Sequence, residues 1–121
     1  MRGVLKGNKE LIAILKKIPK EMQKDVEAVL EANAQEIESE AKRNAPVDTG
    51  KLKQSIKSVK IEKLTFTIRA NDTGLAPYAP FVEFGTRFQK AQPYLYPAFF
   101  KGRNQFINDL EDLMDRTFNK I

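Results

Sequence analysis

The 121-residue sequence contains no cysteine, no histidine and no tryptophan. Without cysteine there are no disulfides, no thiolate nucleophile and no thiolate metal ligand. Without histidine the commonest general base and the commonest metal ligand are missing, and carboxylate-only chemistry remains possible. Apolar runs are short too: none approaches the ~18 residues a membrane helix needs. The opening residues, MRGVLKGNKE, hold no apolar core of signal-peptide length. These absences argue against an enzyme, a cofactor, a small-molecule substrate and a membrane span. They favour a chain made and folded in a cytoplasm.

What is present is ordinary for a globular protein, with 41% apolar and 31% charged residues. The length fits a single domain over residues 1–121 with a modest core. The net charge of +5 is unevenly placed. Asp25, Glu27, Glu31, Glu36, Glu38 and Glu40 form an acidic block without a cation. Lys42, Arg43, Lys51, Lys53, Lys57, Lys60 and Lys63 follow, opposed only by Asp48 and Glu62. Two solvated faces would explain the blocks. So would an acidic face of one copy meeting a basic face of another, or a basic face meeting nucleic acid.

Periodicity divides the chain into elements. Leu11, Ile12, Leu15 and Ile18, behind a plausible Asn8 cap, predict a short helix over 8–17. Pro19 suits the first turn of a second helix running to Asn44. Its core stripe is Met22, Val26, Val29, Leu30, Ala34, Ile37 and Ala41, with Asn33 at the stripe's edge. Pro46 pushes Ala45 out of helical geometry, and Asp48 or Thr49 is placed to cap a helical turn toward Ser55. The period then becomes two. Val59 and Ile61, then Leu64, Phe66, Ile68 and Ala70, predict a hairpin turning at Glu62-Lys63. Two strands alone are marginal, so a third is expected from later in the chain or from a second copy. A final helix is expected from Pro97 to Lys120, striped by Phe99, Phe106, Leu110, Leu113, Met114, Thr117, Phe118 and Ile121. Gly102 weakens that helix and marks close packing.

The most unusual stretch is 78–100, YAPFVEFGTRFQKAQPYLYPAFF, which holds eight of the eleven Phe and Tyr residues and three of the six prolines. It has too many prolines for one helix or a central strand and too many aromatics for a linker. Within it, 81–84 could form a third strand, or 78–83 a helical turn with Pro80 in its first turn. Tyr78, Phe81, Phe84 and Phe88 are expected to anchor the segment to the sheet and helices. As a buried anchor, Phe84 would cost roughly 3–5 kcal/mol on truncation to Ala. Glu83, the segment's lone acid, is expected to pair with a cation or cap amides near Gly85-Thr86 rather than to act as an acid–base group.

Three short segments in order, APVDTGKLKQSI (45–56), YAPFVEFGT (78–86) and QPYLYPAF (92–99), carry a resemblance. The arrangement resembles the tail-completion or head–tail joining (neck) proteins of tailed bacteriophages. The matching positions are Ala45, Pro46, Val47, Asp48, Thr49, Gly50 and Leu52; Tyr78, Ala79, Val82, Glu83, Phe84, Gly85 and Thr86; and Pro93, Leu95, Pro97 and Ala98. The resemblance spans roughly residues 19–118. It implies an α+β fold, with a long helix and a C-terminal helix packed on a small antiparallel sheet. It implies a structural virion protein at the head–tail junction of a phage or prophage, made in the bacterial host's cytoplasm.

Such a protein would assemble into a homo-oligomeric ring, the isolated chain being free to stay monomeric. Its partners would be further copies and the portal or adaptor and tail proteins. Passing DNA would be touched weakly at most, and no catalysis is implied. The motif positions carry over as determinants of fold and assembly, with Asp48, Thr49 and Gly50 shaping the exit from the long helix and Pro93 and Pro97 setting the angle of the last one. Two rival readings are a nucleic-acid-binding module using the Lys51–Lys63 region, and a carboxylate enzyme using Glu83 and Asp48.

Overall fold

A computed structural model describes residues 2–3, 20–46, 50–72 and 74–119. The helix expected over 8–17, the Pro19 start, and Val47, Asp48 and Thr49 lie outside the described residues. The elements are β1 (Arg2–Gly3), α1 (Lys20–Asn44), α2 (Lys51–Gln54), β2 (Lys57–Glu62), β3 (Thr65–Arg69), α3 (Ala79–Phe84) and α4 (Leu95–Asn119). The fold is α+β, as expected: two 25-residue helices, α1 and α4, lie with a small antiparallel sheet.

The apolar stripe of α1 does what its spacing predicts. Val26, Leu30, Ala34, Ile37 and Ala41 are buried. Glu40 and Ile37 of α1 meet Lys101 and Gly102 of α4, while Asn33 meets Asp109, so the two helices run antiparallel. Gly102 lets them approach closely: a Cβ there would stand 2.1 Å from Ile37 Cγ1. One core cluster joins Ala34, Ile37 and Ala41 to Ile56, Ile68, Tyr94, Leu95 and Phe99. A second joins Val26 and Leu30 to Leu64, Phe106 and Leu110, and Phe66 packs against both. Asn33 departs from its expected edge position. It is buried, and its Nδ2 donates to Val29 O at 2.9 Å and across to Asp109 Oδ2 at 3.0 Å. The cross-helix acceptor satisfies the amide, which is what lets a polar side chain sit inside the stripe.

The sheet order is β1-β3-β2, all antiparallel. The third strand therefore comes from the start of the chain, Arg2↔Arg69 and Gly3↔Ile68, and not from a later segment or another copy. The hairpin turns at Lys63-Leu64, with Leu64 in the left-handed region (φ 61°). Ile61 is a second correction. The register jumps between Lys60 and Glu62, a bulge that leaves Ile61 unpaired and 54% exposed instead of on the apolar face.

The acidic and basic blocks meet inside one molecule. Glu38 Oε1 accepts the Ser58 N–H at 2.6 Å on edge strand β2, and Lys60 Nζ lies 2.5 Å from Glu27 Oε1. Arg43 pairs with Glu36 and Glu40, Lys42 with Glu38, and Lys101 with Glu40. A hydrogen bond from Arg43 holds the Glu40 carboxyl below the usual carboxylate range, and one from Lys60 does the same for Glu27. Four of the six carboxylates of the acidic block thus have partners on the same chain. Much of the block's charge is therefore compensated within its own chain. The occupied edge amide also leaves β2 less open to strand addition.

Candidate functional site

The segment 78–100 is a short helix, a closed loop and the start of a long helix, not a strand. Tyr78 precedes α3, Pro80 sits in its first turn, and Gly85 ends it. Proline is tolerated there because first-turn amides have no intrahelical acceptor. Within α3, Ala79 and Glu83 are buried and Val82 is half-buried, while Phe81 and Phe84 face outward with Tyr78. Spacings of three and four separate these two faces. The apolar rings thus lie outside and the carboxylate inside, the reverse of what hydropathy alone would assign.

Glu83, 3% exposed, ties α3 to α4. Its Oε1 accepts the N–H groups of Tyr94 at 3.0 Å and Leu95 at 2.8 Å, and its Oε2 accepts that of Tyr96 at 3.2 Å. Helix N-termini present unpaired amides and partial positive charge, so a carboxylate is the matching group. A capping role was expected, but at Gly85-Thr86; the amides capped lie about ten residues further on. This also explains why α4 begins at Leu95, two residues before Pro97: the Glu83 carboxylate, not the proline, defines its start. Both Glu83 oxygens are engaged by backbone amides, the arrangement of a helix cap.

Tyr94 is the anchor that sequence reasoning missed. It is 0% exposed, and its hydroxyl donates to Ala79 O at 3.1 Å. Burial pushes its phenol well above the usual value, with the Glu83 charge adding to the shift, so the donor proton stays in place. Asn44 Nδ2 donates to Tyr94 O at 3.4 Å, and Ala45 and Leu52 share its core cluster. The described parts of all three sequence segments therefore converge on one joint. Gly50 precedes α2 with φ 81°, and no side-chain cap bonds there, so the expected capping by Asp48 or Thr49 falls outside the described residues.

The loop between α3 and α4 is closed by its own bonds. Thr86 Oγ1 accepts the N–H groups of Phe88 and Gln89 at 3.2 and 3.0 Å, and Thr86 N–H donates to Gln89 O at 2.9 Å. Gln92 N–H donates to Val82 O at 2.8 Å. Gly85 has φ 78°, and a Cβ there would lie 2.7 Å from Ala91 N, so no other residue fits. Pro93 and Pro97 are exposed, as is Thr86, whereas Leu95 and Ala98 are buried.

The four aromatics expected to be anchors are instead displayed. Tyr78, Phe81, Phe84 and Phe88 are all exposed, Phe88 at 87%. The Phe84 ring lies 5.7 Å from Tyr96, which stacks at 6.2 Å on exposed Phe100. Leu75, Tyr78 and Phe81 border a groove of about 450 Å³ with Pro46 and Leu52. Phe84→Ala is accordingly expected to change stability by less than about 1 kcal/mol, checked by urea denaturation. A loss of several kcal/mol would restore Phe84 as an anchor.

Fold and joint together define a small α+β protein that holds exposed aromatics on a rigid frame. The chain belongs to the HK97-gp10-like family, whose model is described as "Bacteriophage HK97-gp10, putative tail-component" and matches residues 9–85. That match covers the first sequence segment and all of the second but Thr86, and stops before the third. No curated protein and no solved structure matches the chain.

Proposed function

We propose that the protein is a structural component of the head–tail junction of a tailed phage or prophage, a single domain acting by ring assembly and tail attachment and not by catalysis. Its partners are further copies of itself, the portal or adaptor side, and tail proteins. Membership of a phage tail-component family supports the virion setting. The observation that carries the reading is the aromatic face: rings displayed by a loop and helix whose backbone bonds are closed internally. Four Phe rings more than half exposed present roughly 500 Å² of apolar surface in total, comparable to the largest exposed patch of a typical monomer, which is often functional. Because Glu83 and Gly85 hold the frame, little ordering entropy opposes docking. The motif positions act as parts of this frame, Ala45, Leu52, Ala79, Glu83 and Leu95 from within, and Tyr78 and Phe84 from its surface.

The nucleic-acid alternative draws on Lys51, Lys53, Lys57, Lys60 and Lys63, but Lys60 is engaged by Glu27. Disrupting the gene in its phage and imaging the particles tests the proposal. Filled heads and unattached tails are the expected products. Joined, infectious virions at normal yield would overturn it.

A further inference from the structure

Between residues 74 and 107 Glu83 is the sole carboxylate, and it is turned inward onto the α4 amides. The segment that carries the aromatic face therefore turns no carboxylate of its own outward. Arg87 stacks over the Phe88 ring at 5.4 Å, and Lys90 lies on the same loop; neither has an ion pair among the described residues. The opposite imbalance sits toward the far end of α4. Glu111, Asp112 and Asp115 are exposed there, likewise without an ion pair among the described residues, beside half-buried Leu113 and Met114. Carboxylates three and four apart repel, and acids near a helix C-terminus oppose its dipole; the basic residue of that last turn, Arg116, donates its Nε–H to the Asp112 carbonyl and not to a carboxylate. Among the described residues the three carboxylates are thus left to pair with a cation from elsewhere. Sixteen residues of helix separate Leu95 from Glu111, roughly 24 Å, so one molecule cannot bring the two surfaces together.

We propose that the aromatic face of one copy receives the acidic end of α4 of a second copy, Phe88 packing on Leu113 and Met114 while Arg87 and Lys90 meet Glu111, Asp112 and Asp115. This rests on the self-assembly reading above and specifies its contact. Two different surfaces meet, so the interface is heterologous: it propagates head to tail and closes into a ring when the rotation permits. Methionine suits such a seat because its unbranched side chain adapts to a ring.

Charge exchange supplies the test, read by sedimentation velocity at low salt, where screening extends beyond ~10 Å. One variant carries Arg87→Glu and Lys90→Glu, the other Glu111→Lys, Asp112→Lys and Asp115→Lys. All five side chains are exposed, and circular dichroism is the check that each variant folds. Each alone is expected to self-associate at least about tenfold more weakly than the parent, and an equimolar mixture to recover most of the loss. The cysteine-free background permits a direct check: mixed Phe88→Cys and Met114→Cys proteins should cross-link to each other in preference to themselves. Any of three results would overturn the contact: a parent chain still monomeric at about 1 mM, association indifferent to both reversals, or cross-linking dominated by Phe88→Cys with itself. Each would leave the particle-imaging test of virion role standing, so the two failures are separable.

Discussion

Replacing Glu83 by alanine is expected to destabilise the fold by about 3–5 kcal/mol, the largest effect of any single polar substitution in the described residues. Three backbone amides at the start of α4 would lose their acceptor in a buried site. Each orphaned donor costs about 1–3 kcal/mol, and the favourable charge–dipole term at the helix N-terminus disappears as well. Domains of this size are stable by only about 5–15 kcal/mol, so the variant stands near unfolding at 37 °C. Glu83→Gln discriminates further. It keeps the shape and one carbonyl oxygen but turns an NH₂ group toward backbone donors, so roughly 2 kcal/mol should be lost. Urea denaturation of both variants checks the ordering. A Glu83→Gln protein as stable as the parent would show that the carboxylate is not the fastener of α4.

Gly102→Ala is expected to be destabilising by about 2 kcal/mol even though alanine is the better helix former. Propensity alone favours alanine by about 1 kcal/mol. Against it, the new Cβ would lie 2.1 and 2.5 Å from Cγ1 and Cδ1 of Ile37. Ile37 is buried and β-branched within α1, where one χ1 rotamer dominates, so it cannot swing aside. The helices must separate, and overpacking of that kind costs about 1–3 kcal/mol or more. The melting temperature should fall by roughly 5–10 °C. The decisive control is the double variant with Ile37→Ala, which removes both clashing atoms. Its stability should exceed the sum of the single effects by more than about 1 kcal/mol. Strict additivity would place the close helix contact elsewhere.

These two positions show how unevenly the sequence disclosed its own structure. The long helix was legible because seven apolar residues at helical spacing can be buried in only one way, and Gly102 was legible as a contact because glycine inside a good helix demands a reason. Glu83 was half legible. A cation partner or a cap on nearby amides was expected, but local reasoning searches the next few amides, and the ones it caps belong to Tyr94, Leu95 and Tyr96. Ile61 was misplaced for a comparable reason: strict alternation cannot announce a bulge, which is decided by pairing with β3. The third strand could not be foreseen either, since Arg2–Gly3 is too short to carry a periodicity.

By itself the sequence determined the class of the fold and the setting of the protein. Hydrophobic periods of 3.6 and 2, set off by Pro46 and Gly50, specify helix, hairpin and helix because those periods follow from backbone geometry. The ordered segments at 45–56 and 78–86 identified a phage tail-component lineage that the family match to residues 9–85 bears out. Tertiary structure alone decided which aromatics are core and which are surface. In 78–100 hydrophobicity does not sort the eight rings, since Tyr94 is buried while four Phe rings are exposed, and their fate follows from the turn of α3. Ala79 and Glu83 take the inner face, Tyr94 fills the space beneath them, and Phe81, Phe84 and Phe88 are left outside. It also decided that the acidic and basic blocks close on each other, since only the packing of α1 beside β2 puts Glu27 within reach of Lys60 and Glu38 within reach of the Ser58 amide.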